Sequence, residues 1–271
     1  MSRRCALLML LLSSISGAAV AVVDTEIDTP DYQLHWQHDF SPQQQEMLSQ
    51  WLAFSSQATL NVLGPYPFSM QLYLYQRDAN EPVPWANTWR EKSQQVHFYV
   101  APQFSKMQFI ADWTAYHEMA HLALPFLGQS NAWFAEGFAS YMQYQIMQQA
   151  GLIDNATAAI SAKFARQRKH YQQQTSMVKT ASQLLRQRRF PAGYWGGAQF
   201  FLVAERLLQQ QGKGPLSSVI QRYQQCCRLQ DNTLEQLIQS LDQVSDSKVF
   251  SELLQQYNSM PAQQFLQLYQ L

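Results

Sequence analysis

His117-Glu118-Met119-Ala120-His121 lies inside a run from Ser105 to Leu124 whose spacing predicts one amphipathic helix. Ser105 and Gln108 fit a capping box that opens it, Ile110, Trp113, His117, Ala120 and Leu124 follow, and Pro125 ends it. Four residues advance an α-helix by about 400°, so the two imidazoles stand one turn apart on one face. There they can share one Zn2+ at about 2.0–2.1 Å. Glu118 sits about 100° further round, beside such an ion, as a base rather than a ligand.

A catalytic zinc site needs a third protein ligand and one open position. Downstream, Asn131 can cap a second helix running to about Ala150, after a turn through Pro125 and Gly128. That helix reads Ala132-Trp133-Phe134-Ala135-Glu136-Gly137-Phe138-Ala139, with a carboxylate in an apolar context. Packed beside the first helix, Glu136 could face the metal, 15 positions after His121. Burying its charge without a partner would be costly, and a cation offsets that cost.

Upstream the pattern changes. Tyr32 to Trp36 reads as a short strand and Pro42 to Leu63 as a helix capped by Ser41. Phe68 to Tyr75 alternates as a half-buried strand, Asp78 to Trp89 with Pro82 and Pro84 reads as a loop, and Gln95 to Val100 is a further strand. After the motif, helical composition covers Asn155 to Tyr171, Tyr194 to Gln211, Pro215 to Arg228, Thr233 to Leu241 and Lys248 to Tyr257. The expected fold class is α+β: a small N-terminal α/β subdomain with a mixed sheet, then a mainly helical half. The expected division is residues 1–21, a signal peptide; 22–127, the α/β subdomain ending in the motif helix; and 128–271, a helical subdomain carrying the third ligand.

His117 to His121 followed by Trp133-Phe134-Ala135-Glu136-Gly137-Phe138-Ala139 resembles the gluzincin zinc metallopeptidases, nearest the peptidase MA-like proteins. The likeness covers about Ile110 to Met142 and extends weakly to Tyr194-Trp195-Gly196-Gly197. It implies a zincin-like fold, one Zn2+ held by His117, His121 and Glu136, Glu118 as general base, and a peptide or protein substrate. It also points to Tyr194 as a donor to the oxyanion, since related enzymes place a tyrosine on a later helix. In such folds an edge strand before the motif helix lines up with the substrate backbone, and Gln95 to Val100 occupies that place in the order. Two departures stand out. The interval to the third ligand is shorter than in thermolysin-like or aminopeptidase members. The Gly-x-Met-Glu-Asn element that holds a substrate amino terminus is missing, so the resemblance does not extend to aminopeptidase activity. Two other readings use the same residues: a catalytically inactive zincin-fold binding protein of the cell envelope, and an envelope-binding module using a basic segment.

Composition bounds these readings. The 271 residues carry 19 basic and 19 acidic groups, with 46% hydrophobic and 13% aromatic residues. Such a chain is too apolar for disorder and too balanced to announce a nucleic-acid partner. At the start, Arg3 and Arg4 precede an apolar stretch from Cys5 to Ile15, and Ala19-Val20-Ala21 fits a cleavage site. The expectation is a cleaved secretory signal and a periplasmic or secreted protein. Cleavage removes two basic residues, leaving 17 against 19 acidic ones and a charge of −2. No later segment approaches transmembrane length. Neighbours cannot form a relaxed disulfide, so a strained vicinal bond or free helix thiols are the options for Cys226 and Cys227, and they read as two buried helix thiols. His35, His38, His97 and His170 lack ligand spacing, and His97 reads as a solvated strand residue. Ser140, one turn after Glu136, reads mainly as a packing residue that could also orient a ligand. Finally, no acid occurs between Asp154 and Glu205, where eight basic residues gather. That segment reads as a solvated face.

Overall fold

Alternating side chains in the first hundred residues place one apolar face of a sheet against a helix. The computed structural model describes residues 31–271, so the expected signal segment lies outside the described residues. Strands β1 (Tyr32–Trp36), β2 (Met70–Gln76), β3 (Trp85–Trp89) and β4 (Gln95–Val100) form one sheet in the order β1-β2-β4-β3. β1, β2 and β4 run parallel and β3 is antiparallel to β4. Leu72, Leu74, Val96 and Phe98 are buried on the inner face, together with Trp51 of helix α1 (Pro42–Leu63). Ser41 caps α1 with the reciprocal bonds of a capping box.

Two expectations about the sheet need correction. Asp78 to Trp89 is not all loop, because its end is strand β3. Gln95 to Val100 is not the edge, because β3 pairs along its outer side. The proline-bounded segment hid a strand whose pairing is supplied by β4, not by local sequence. His97 is also not solvated. It is buried on the outer face between the rings of Tyr73 (4.6 Å) and Trp89 (4.6 Å), and its Nε2 lies 2.9 Å from Gln95 Oε1.

The run around the motif is two helices rather than one: α2 (Lys106–Ala111) and α3 (Thr114–His121). Asp112 leaves helical geometry at ψ 133°, and its Oδ1 accepts from Thr114 N at 2.8 Å, recapping the second piece. Beyond them come α4 (Ala132–Gln149), α5 (Ala156–Ala165), α6 (Met177–Arg186), α7 (Phe190–Gln210), α8 (Leu216–Cys226), α9 (Leu234–Ser245), α10 (Val249–Ser259) and α11 (Ala262–Leu268). Among the described residues, no helix is long and apolar enough to cross a membrane.

α4 and α7 cross very closely. A Cβ on Gly197 would stand 2.2 Å from Trp133 O, and one on Gly137 would stand 2.3 Å from the Gly197 carbonyl carbon. Only glycine permits that approach, and it draws the first turns of α7 toward α4. The last helix correction concerns the cysteines. Cys226 and Cys227 are joined to each other in a vicinal disulfide, not held as two thiols. α8 ends at Cys226, and Cys227 leaves helical geometry (φ −127°, ψ −21°), so the pair is not fixed on successive positions of a helix.

Candidate metal centre

α3 buries both motif histidines, and α4 packs on it with Glu136 facing them. His117 Nε2 lies 3.3 Å and His121 Nε2 3.5 Å from Glu136 Oε2. The three residues offer ligand atoms that all lie within 4.8 Å of one another. Thus the sequence-selected trio comes together in space. Its chemistry fits a borderline metal ion: two imidazole nitrogens and one carboxylate, with room left for a fourth ligand. Without a cation, two ring nitrogens would have to be reconciled with a carboxylate by protons alone.

The electrostatics carry the same signature. Burial opposes ionisation of Glu136, but the adjacent His121 and His117 rings outweigh it and hold the carboxyl well below its usual range. Burial works against a charged His117, yet the nearby Glu136 and Glu118 raise its pKa on balance. For His121 burial dominates and lowers it.

A surrounding layer orients these groups. His117 Nδ1 is 2.8 Å from Gln143 Oε1, so the ring donates there and leaves Nε2 free to ligate. Gln143, two turns after Glu136 on α4, was missed in the sequence because a glutamine among so many carries no distinctive signal. Ser140 is buried but forms no bond to a ligand residue; Gln143 takes the orienting place. His121 Nδ1 is buried without a partner, so no second bond fixes that ring.

Glu118 is held by the sheet. Its Oε2 is 2.7 Å from Thr88 Oγ1, on edge strand β3, and that hydroxyl also lies 2.9 Å from Glu118 O. Thr88 was likewise invisible, because its segment read as loop. The end of α3 is unusually well supplied with donors. Tyr66 Oη donates to Met119 O (2.8 Å), Arg90 Nη1 to His121 O (2.9 Å), Arg228 Nε to Leu122 O (2.9 Å) and Gln224 Nε2 to Ala123 O (2.9 Å). Met119 O and His121 O also accept from the backbone of Leu122 and Leu124, whereas Leu122 O and Ala123 O are met by the side chains of Arg228 and Gln224. Burial lowers the Arg90 pKa to about 10, against the supporting charge of Glu136. The motif helix is therefore pinned at its ligand-bearing end.

Tyr194, on the first turns of α7, is also brought to the site. Its ring stacks on His117 at 5.8 Å and 29°, and Trp113 meets the same imidazole edge-on at 5.4 Å. Burial, then the charges of Glu136 and Glu118, raise the Tyr194 pKa, keeping the phenol a proton-bearing donor.

Two cavities meet at Tyr194 and Phe190. One, of about 430 Å3, reaches Glu136 and Gln129; the other, of about 330 Å3, reaches Trp113, Gln143 and Trp195. A third, of about 420 Å3, starts at Thr88 and Arg90 and shares Gln129 with the first. The first cavity shares lining residues with each of the others, and of the trio Glu136 lines it.

By sequence, no known family and no curated protein matches this chain. By structure, the chain is similar to an M1 zinc metallopeptidase from Deinococcus radiodurans at TM-score 0.52 and 12% identity, over 85% of this chain and 50% of that one. A variant of that enzyme bound to a Tyr-Ser-Ala substrate gives 0.51 at 12% identity, over 78% and 44%. Yeast LTA4 hydrolase in complex with Bestatin gives 0.53 at 12% identity, over 86% and 38%. The chain spans half or less of the length of these proteins. The fold is therefore α+β, a small mixed sheet followed by a mainly helical half, as in these neighbours.

Proposed function

We propose that this protein is an exported zinc-dependent peptide hydrolase of the gluzincin type. One observation carries the reading: His117, His121 and Glu136 converge while Glu118, the neighbour of the first ligand, is held separately by Thr88. A ligand trio needs no such free carboxylate; a hydrolytic site does. The amino-terminal segment Met1 to Ala21 supports export to the periplasm or beyond.

His117, His121 and Glu136 would hold the zinc, which when bound supplies a Lewis acid and an acidified water. Glu118 takes a proton from the attacking water and returns it to the leaving amine. Thr88 fixes the carboxylate that does so. Tyr194 keeps its proton and donates a hydrogen bond to the developing oxyanion. Gln143 holds His117 in the tautomer that ligates through Nε2. Strand β3 presents an unpaired edge beside Glu118, where an extended substrate backbone can lie.

The test is metal analysis of the purified chain followed by mass-spectrometric profiling of a peptide library with and without a chelator. The expected result is one zinc per chain and chelator-sensitive cleavage. Stoichiometric zinc with no cleavage of any peptide would favour a binding protein of the same fold. Glu136→Ala is expected to weaken zinc binding sharply, and unchanged zinc content would remove Glu136 from the ligand set.

A further inference from the structure

The acid-free segment between Asp154 and Glu205 holds eight basic residues, all of them exposed as a solvated face requires, and three of them also line cavities. Lys163 and Arg166, on α5 and at its end, line the cavity that runs along Trp113 and Gln143. Arg186, at the end of α6, lines the cavity that contains Glu136. Tyr194 and Phe190 form the wall common to both. Arg186 thus flanks the hollow that contains Glu136, and Lys163 and Arg166 flank the neighbouring hollow, which meets the first at Tyr194 and Phe190. No acidic side chain lines either hollow except Glu136 itself. Among the described residues the ion pairs are His117 and His121 with Glu136, and Lys213 with Asp246. None engages Lys163, Arg166 or Arg186.

We infer that these cations select substrates carrying a carboxylate close to the scissile bond, an acidic side chain or the chain's own C-terminal carboxylate. The inference rests on the peptidase reading for the reaction and on the cavity walls for the preference. In the hollow of Glu136 a substrate carboxylate meets Arg186, and in the neighbouring one it meets Lys163 and Arg166 with no acidic side chain beside them.

The probes are fluorescein-labelled peptide pairs identical except for Glu against Gln, each made with a free and with an amidated C-terminus. Binding is measured by anisotropy to the zinc-loaded full chain carrying Glu118→Gln, which keeps the probe intact. Cleavage of the same peptides is measured with the wild-type chain. One charge-assisted contact predicts about tenfold tighter binding of a carboxylate-bearing peptide. The preference is expected to shrink at high salt and to fall in Lys163→Gln, Arg166→Gln and Arg186→Gln, all exposed positions whose folding is checked by circular dichroism. Arg186→Lys should retain most of it. A preference in the Glu pair assigns side-chain recognition, and one in the acid–amide pair assigns the C-terminus. Equal binding of all four peptides, or tighter binding of the amidated Gln form, overturns the inference even if all are cleaved. Preferential binding without any cleavage upholds the cationic subsites and removes the peptidase reading.

Discussion

Thr88 shows how one hydroxyl can matter as much as a ligand. It is the residue that reaches both the carboxylate and the carbonyl of Glu118, at 2.7 and 2.9 Å. Thr88→Val keeps the shape and removes the donor. A hydrogen bond to a charged group contributes about 1.5–3 kcal/mol, so kcat/KM should fall roughly tenfold to a hundredfold. Zinc content should stay at the wild-type level, and Thr88→Ser should restore activity. Equal loss of zinc and activity would mean that Thr88 supports the fold rather than the base. Gln143→Leu acts on a different atom. It frees His117 Nδ1 and should weaken zinc binding by about tenfold to a hundredfold, as measured by chelator competition.

At the scale of elements, the site depends on how α3 ends and how α4 meets α7. Arg90 Nη1 donates to His121 O at 2.9 Å and lies 3.4 Å from Leu124 O. Arg90→Met leaves His121 O with only its backbone donor, Leu124 N at 3.2 Å, and removes the side-chain donor near Leu124 O, and should cost about 1–2 kcal/mol in chemical denaturation. Gly197→Ala drives a Cβ to 2.2 Å from Trp133 O, so α7 must move off α4. We expect a loss of about 3 kcal/mol and weakened zinc binding, because the displaced helices carry Tyr194 and Glu136. The elements also separate what was readable in the sequence from what was not. The motif, its partner helix, the cap at Ser41 and the capping box at Ser105 rest on local chemistry, and local chemistry was enough to read them. Strand β3 was hidden by its flanking prolines and by depending on β4 for pairing. Helix α6 was overlooked although Met177, Thr180, Ala181 and Leu184 are buried at helical spacing. Its glutamine-rich, basic flanks masked a clear amphipathic period. The break at Asp112 required knowing that its side chain would cap Thr114.

For the whole molecule, metal and proton compete for the same rings. In the metal-free site the neighbouring carboxylates raise the His117 pKa above its ordinary 6.5, so this ring holds a proton more readily near neutrality. Zinc must displace that proton, which means that binding releases protons and weakens as pH falls. The sign follows directly: a raised histidine favours the protonated, metal-free state at low pH. Titrating zinc at several pH values should show affinity falling steadily from pH 8 to pH 6, with proton uptake by the buffer at each. Zinc at about a hundred times its Kd should stabilise the folded chain by about 2.7 kcal/mol, raising Tm by about 5–10 °C, and a chelator should reverse it. The central claim is nevertheless chemical: Glu118 is the base and the trio is the metal site. The most direct measurement compares the zinc content and peptide-hydrolysis rate of the wild-type chain with those of Glu118→Gln. The account predicts equal zinc and a rate reduced by about a thousandfold or more. Hydrolysis at the wild-type rate by a zinc-loaded Glu118→Gln protein would contradict it.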